Sequence, residues 1–209
     1  MDGRRVARHR AGILPLYLFR QLLLPRSSPD DRPYRRSLIE EKQARVRPAR
    51  LTDDTALARL SAAAWSAESG FPSLIENVSQ TNAPFFGAEN PPEAHLVAEL
   101  NGSVVGYIRL KPPTRLPENA HVIQVQGLAV HPSARRRGIA AMLLTAATER
   151  LRERGTRKLT LRVLSTNTGA IALYERLGFA CEGVLRGEFI INDRDVDDVL
   201  MGISLESQA

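Results

Sequence analysis

Residues 127–155 read GLAVHPSARRRGIAAMLLTAATERLRERG. A short apolar run, Leu128-Ala129-Val130, meets a turn at His131-Pro132 and passes through Arg135-Arg136-Arg137-Gly138-Ile139-Ala140 into a helix. The helix follows from spacing: Ile139, Met142, Leu143, Ala146, Ala147 and Leu151 recur every three or four residues, leaving Thr145, Glu149, Arg152 and Glu153 outward. Gly155 supplies the stop. A strand entering a helix through a tight, basic, glycine-containing turn offers free main-chain N–H groups at the positive end of the helix dipole, which is an anion site.

The turn lacks G-x-x-x-x-G-K-[ST] and G-x-G-x-x-G, so it is not a nucleotide P-loop or a dinucleotide fingerprint. Its pattern is R-x-x-G-x-A, at Arg135, Gly138 and Ala140. Gly138 admits a phosphate without a side chain in the way, and Ala140 keeps the first helical turn close to it. Downstream, residues 165–179 read STNTGAIALYERLGF. Asn167 is suited to start a helix, Gly178 to end it and Phe179 to re-enter the core.

Together these segments resemble the GNAT superfamily of acyl-CoA N-acetyltransferases. The first resembles its pyrophosphate signature [QR]-x-x-G-x-[GA], and the second its motif N-x-x-A-x-x-x-Y-x-x-x-G-F, matched at Asn167, Ala170, Tyr174, Gly178 and Phe179. Two loose motifs in the right order and spacing carry far more weight than either alone.

The rest of the chain fits around them. A strand over 44–49 leads to Thr52-Asp53-Asp54, which caps a helix with Leu57, Leu60, Ala64 and Trp65 on its apolar face. A loop-rich segment with a short helix over 73–79 follows. Phe71, Phe85 and Phe86 are core or wall residues there, with core the simpler reading. Strands over 95–100 and 104–110 join through Asn101-Gly102, the dipeptide best suited to a two-residue hairpin. A strand over 120–130 is expected to carry a bulge near Gly127, and the strand over 158–164, reached through the long helix, to run parallel to it. A closing hairpin over 179–192 and 196–205 turns around Asp193-Arg194-Asp195. The element order is that of the resemblance, which spans about residues 45–205. It implies an α/β fold of the α+β type, with a mixed, twisted central sheet of about six to seven strands flanked by helices.

The 209 residues allow one globular domain plus an appendage. The formal net charge of +6 would hint at nucleic-acid binding if it were evenly spread. It is not: the first 50 residues hold 13 of the 29 Lys and Arg and 5 of the 23 Asp and Glu, leaving 16 basic and 18 acidic residues beyond them. The domain, residues 44–209, adds only Arg45, Arg47 and Arg50 to that count and is therefore not a basic surface, and no nucleic acid is expected as partner. Residues 1–43 form a basic extension with an apolar patch at Ile13-Leu14-Pro15-Leu16-Tyr17-Leu18-Phe19, too short for a span of about 20 residues and without an A-x-A-like cleavage site. It reads as a mobile appendage or as an amphipathic docking arm. Cys181 is the single cysteine, which fits a reducing cytoplasm, and the four histidines show no ligand spacing, so no metal is expected.

The resemblance implies acetyl-CoA as cosubstrate and direct attack by a primary amine within a ternary complex. It implies pyrophosphate on the main-chain amides of Arg135, Arg136, Arg137, Gly138, Ile139 and Ala140, and pantetheine paired with Leu128, Ala129 and Val130. Asn167 orients the cofactor, and Tyr174 is the general acid, its phenol near pKa 10 set against a thiol about one to two units lower. Taken alone, Tyr174 also reads as a half-buried helix tyrosine. The base is open: where many relatives carry a glutamate, this chain has Gln124 and Gln126, and His121, Glu99, Glu188 or a water relay remain. The acceptor is a small amine or a protein N-terminus, with Asp193, Asp195, Asp197 and Asp198 available to attract a cation or simply to solvate a turn. A non-catalytic acyl-CoA-binding regulator is the alternative, and a homodimer is left open.

Overall fold

The computed structural model describes residues 44–64 and 84–206. The expectations for the arm up to residue 43, for Trp65 and Phe71 and for a short helix over 73–79 lie outside the described residues.

The described elements are strands β1 (Arg45–Pro48), β2 (His95–Leu100), β3 (Ser103–Lys111), β4 (Val122–Val130), β5 (Lys158–Leu164), β6 (Ala180–Ile191) and β7 (Arg194–Ser204), with helices α1 (Asp54–Ala64), α2 (Ile139–Glu153) and α3 (Thr168–Arg176). The strands form one mixed sheet in the order β1-β2-β3-β4-β5-β7-β6. All neighbours are antiparallel except β4 and β5, which are parallel because α2 carries the chain back across the sheet.

Both hairpins obey local turn chemistry. Asn101 (φ 53°) and Gly102 (φ 74°) join β2 to β3 as a left-handed pair. Asn192 (φ 52°) and Asp193 (φ 58°) do the same between β6 and β7. The second turn thus falls earlier than the expected Asp193-Arg194-Asp195, because Asn and Asp tolerate positive φ whereas Arg194 and Asp195 already pair with Ile191 and Ile190. Along β6 the register slips twice, and at the second slip Asp197 accepts hydrogen bonds from the Gly187 N–H (2.9 Å) and Arg186 Nη1 (2.5 Å).

Each sheet face has its own core. On one, Leu143, Leu144, Ala147 and Leu151 of α2 meet Leu96, Ala98, Ile108, Leu159, Leu161 and Met201, with Tyr174 and Phe179 alongside. The helix approaches closely because position 106 is glycine: a Cβ there would stand 3.1 Å from the Ala129 carbonyl oxygen and from Ile139 Cγ2. On the other face, Leu57, Leu60 and Ala64 of α1 pack on Val97, Tyr107 and Ala129, with Phe86. Each such leucine contributes about 1.5–3 kcal/mol of burial.

Arg47 ties β1 to both neighbours. Its guanidinium donates to Asp53 (2.7 and 2.8 Å) and to Glu99 (2.7 and 2.9 Å), while Arg45 Nε donates to the other oxygen of Glu99 (2.7 Å). Both acids are buried, and Arg47 holds each below the usual carboxylate range against the opposing effect of burial.

Candidate active site

The parallel ladder between β4 and β5 runs only from Val122 opposite Lys158 to Val125 opposite Leu161. Beyond that pair β4 continues to Val130 and β5 to Leu164 without meeting. The cause lies in β4. On β3, Leu110 faces Val125 but Arg109 faces Gly127, so Gln126 is an extra residue. A bulge bends its strand. The two strands part into a cleft of about 1030 Å³, lined by Gly127, Leu128, Ala129 and Val130 on one side and by Leu161, Arg162, Val163 and Leu164 on the other. β4 keeps its pairing with β3 through Gly106 opposite Val130, so its other edge is turned to the cleft.

The arginine-rich turn closes one part of this cleft. A 3-10 turn (Pro132–Ala134) is started by His131, whose Nδ1 accepts from the Ser133 N–H (3.3 Å). Arg136 (φ 62°) and Gly138 (φ 77°) then take left-handed conformations. Gly138 is the N-cap of α2 and offers no side-chain cap, and the first bond back to it comes from Met142 N (3.0 Å). The N–H groups of Ile139, Ala140 and Ala141 therefore lack helical partners, as any helix start requires. A Cβ on Gly138 would meet nothing within 4 Å, leaving open space above these amides.

Arg135, Arg136, Ala140, Asn167 and Tyr174 all line the cleft with Leu128, Ala129 and Val130. Arg137, Gly138 and Ile139 belong to the turn but not to the lining, and Ile139 is buried in the core. Arg135 is committed elsewhere. Its Nη2 donates to the carbonyl of Ala64, the last described residue of α1 (2.6 Å), and its Nε to that of Val130 (3.4 Å). The guanidinium clamps α1 and β4 to the turn, leaving Arg136 as the cleft-lining arginine of the turn with no such tether among the described residues.

Asn167 accepts from the Ala170 N–H (3.2 Å) and so caps α3. That helix ends at Gly178 (φ 89°), with Phe179 N returning to the Tyr174 carbonyl (3.0 Å). Tyr174 itself is 8% exposed, its ring 5.9 Å from Phe179. Burial pushes the phenol up to about 12, above the value near 10 that its residue type alone gives.

The base candidates do not converge here. Glu99 is 8% exposed, spent on Arg45 and Arg47, and lines a separate pocket of about 400 Å³ beside α1. His121 is exposed and outside the cleft lining. Glu188 lies 3.3 Å from Arg162 Nη2. Gln124 and Gln126 do line the cleft, joined to each other at 3.4 Å. Of the acidic quartet, Asp198 alone is buried and lines the cleft, paired with Arg162. Asp197 is spent on the Gly187 bulge, and Asp193 and Asp195 are exposed at the hairpin end. The importance of Arg162 escaped the sequence because its partner is 36 residues away and their contact depends on strand register. Among the described residues no group of three or more His, Cys, Asp or Glu is placed to hold a metal.

A family model described as acetyltransferase (GNAT) family matches residues 56–179. An N-alpha-acetyltransferase of Sulfurisphaera tokodaii is 32% identical over 155 residues, covering 69% of this chain and 85% of that one. Among solved structures, the protein smu.2055 of Streptococcus mutans superposes with a TM-score of 0.63 at 25% identity, over 78% of this chain and 99% of the other. The yncA protein of Salmonella typhimurium, a putative acetyltransferase solved with its cofactor acetyl-CoA, gives 0.60 at 21% identity over 80% and 96%, a likeness of fold alone.

Proposed function

The chain belongs to the GNAT family of acetyltransferases, and on that premise we propose that this N-acetyltransferase moves the acetyl group of acetyl-CoA to a primary amine by direct attack within a ternary complex. The observation that carries this reading is the parting of β4 from β5, with the turn over 135–140 and Tyr174 on the same cleft. The acetyl-CoA in the Salmonella structure supports the choice of cosubstrate.

The residues present fit that molecule. The uncapped amides at the start of α2, with Arg136 beside them, suit a pyrophosphate. The cleft-facing edge of β4 at Leu128 and Val130 suits the amides of a pantetheine arm, added as one more strand. A main-chain N–H near Leu128 then meets the oxygen of the thioester carbonyl as charge builds on it.

Tyr174 is the general acid in this reading. With its pKa raised to about 12, the phenol is fully protonated at neutral pH. It passes its proton to the sulfur as the carbon–sulfur bond breaks, so that coenzyme A leaves as the thiol and water returns a proton to the phenolate; the dry surroundings that raise the phenol also raise the proton affinity of the departing thiolate. The new carbon–nitrogen bond forms from an amine that arrives neutral, and its surplus proton leaves to water. Glu99 is withdrawn as a base candidate by its ion pairs, and Gln124 and Gln126 cannot take a proton.

The acceptor in this reading is a small amine or a protein N-terminus, the latter supported by the name of the Sulfurisphaera relative. Residues 44–209 are the catalytic domain and residues 1–43 an extension dispensable for transfer. The site of action is the cytoplasm, where acetyl-CoA is available, and no helix among the described residues is long and apolar enough to cross a membrane. Calorimetry with acetyl-CoA, followed by a transfer assay over a panel of amines, tests the proposal. Binding plus transfer that rises with the free-amine fraction is expected. Absence of binding overturns it, and binding without transfer to any amine points instead to a non-catalytic acyl-CoA-binding protein.

A further inference from the structure

Asp198 is 3% exposed, and its Oδ2 accepts a hydrogen bond from Arg162 Nε at 2.5 Å while also pairing with Nη2. The pair lies on a definite face of the sheet. Leu161, Val163 and Met201 enter the core that contains Tyr174. Side chains alternate along a strand, so Arg162 and Asp198 point to the opposite face. On that face α1 covers β2, β3 and β4. With the phosphate turn and Tyr174 holding the carrier on one face, the other is left for the second reactant.

The sequence offers the acidic residues near the C-terminus as an attraction for a cation. The register instead buries the acid and turns its guanidinium partner to the cleft wall. The Asp198 side chain is 4% exposed and the Arg162 side chain 44%, so a buried acid holds a guanidinium out toward the cleft. Nε and Nη2 are taken by Asp198, with Glu188 at 3.3 Å from Nη2, and Nη1 has no partner among the described residues. A fork fixed by a carboxylate is a rigid donor, aimed without further loss of freedom.

We infer that Arg162 is a specificity-determining residue that reads a neutral carbonyl oxygen next to the acceptor's amino group. The acceptor class it selects is the α-amino group of a peptide or aminoacyl amide. This rests on the acetyl-transfer reading above. Arg162, Asp198 and Glu188 together carry a formal charge of −1, from one guanidinium and two carboxylates. The Glu188 side chain is 40% exposed, so a free carboxylate on the acceptor meets repulsion where a neutral carbonyl does not, while a nearby ammonium is drawn in before it loses its proton. Gln124 and Gln126, held to each other at only 3.4 Å, add neutral amide groups suited to a peptide. Polyamines have no such carbonyl.

The test uses the full chain and three acceptors: alaninamide, alanine and isopropylamine, the last keeping the amine-bearing carbon of alaninamide with a methyl in place of the carboxamide. With kcat/KM expressed per free amine, because an α-amino group next to a carbonyl loses its proton about two units or more below an alkylamine, wild type is expected to favour alaninamide over isopropylamine by about 10- to 100-fold, the effect of one hydrogen bond to a charged group, and to favour it over alanine. Two variants follow. Arg162→Lys keeps the charge beside Asp198 but loses the fork, and the double variant Arg162→Gln, Asp198→Asn keeps a neutral bonded pair and leaves no buried acid unpaired. In both the preference is expected to fall to about threefold or less, chiefly through the KM for alaninamide. Retention of the preference in both variants overturns the inference. So does equal use of isopropylamine by wild type, a preference for alanine, or no transfer to any of the three while acetyl-CoA binds. Failure of wild type to bind acetyl-CoA in calorimetry overturns instead the acetyl-transfer reading on which it rests.

Discussion

Val125 of β4 lies opposite Leu161 of β5 as the last pair of the parallel ladder, and one residue later Gln126 drops out of register with β3. The bulge and the end of the ladder coincide. A strand that stayed regular would keep hydrogen-bonding its neighbour, and the cleft between Gly127 and Leu164 would close.

Tyr174→Phe removes only a hydroxyl from a ring packed beside Phe179. Turnover is expected to fall about 10²- to 10⁴-fold, with the acetyl-CoA dissociation constant changed by no more than about threefold. Because burial raises the phenol to about 12, no loss of wild-type rate between about pH 7 and 10 should trace to this group. The same shift bears on stability. The folded chain keeps the proton that an unfolded tyrosine loses near 10, so this contribution is intact below about pH 10 and is lost as pH climbs toward 12. Wild type should lose more stability than the phenylalanine variant over that window in denaturant titrations.

Arg136 holds a left-handed backbone (φ 62°) on the cleft wall. Such a conformation costs a residue with a Cβ about 1–2 kcal/mol, part of which glycine recovers. Arg136→Gly is expected to be stabilised by up to about 1 kcal/mol and to bind coenzyme A about tenfold more weakly for loss of a charge-assisted contact. Thermal denaturation and calorimetry on the same preparation check both signs.

Glu99→Gln separates structure from chemistry. Arg47 keeps Asp53 but loses one charged partner, and a cost of about 1–3 kcal/mol is expected from the weakened buried bonds. Turnover per folded molecule, measured well below the melting temperature, should remain within about threefold of wild type. A collapse of kcat without a shift in melting would return Glu99 to the list of bases.

His95 is 1% exposed among Phe85, Phe86 and Tyr107, with Nδ1 at 2.9 Å from the Pro91 carbonyl oxygen and Nε2 without a hydrogen-bond partner among the described residues. Burial is the main cause that lowers its pKa, aided by the charge of Arg109 and opposed by the bond to Pro91. An unfolded histidine takes up its proton near pH 6.5 while this one resists. Stability tied to His95 is thus present above about 6.5 and is lost as pH falls through the lower folded value, with a slope of at most about 1.4 kcal/mol per pH unit. Urea midpoints between pH 7.5 and 5 should fall less steeply for His95→Gln than for wild type.

Much of this architecture can be read along the chain because its signals are local. The spacing of Ile139, Leu143, Ala147 and Leu151 marks α2, Asn101-Gly102 marks a hairpin, and Asn167 with Gly178 brackets α3. The bulge near Gly127 is legible in the broken alternation of β4. The hairpin between β6 and β7 is legible as a turn but not to the residue, since Asn-Asp and Asp-Arg-Asp compete and only pairing decides. Of the cleft residues, those in the turn and in α3 announce themselves by motif, because the constraint on each is a backbone conformation or a cap formed within a few residues.

The sequence alone determined the order of the described elements, the parallel crossing through α2, the uncapped amides from Ile139 onward and the placement of Tyr174 on a helix that follows β5. Each depends on periodicity, capping or turn geometry over fewer than twenty residues. Only the tertiary structure decided which charges meet. Glu99 went to Arg47 and away from the cleft, Arg135 to the Ala64 carbonyl, and Asp198 to Arg162. Such pairings are set by strand register and packing between residues 36 to 71 positions apart, and a side chain's charge says nothing about which partner will be brought within 3 Å of it.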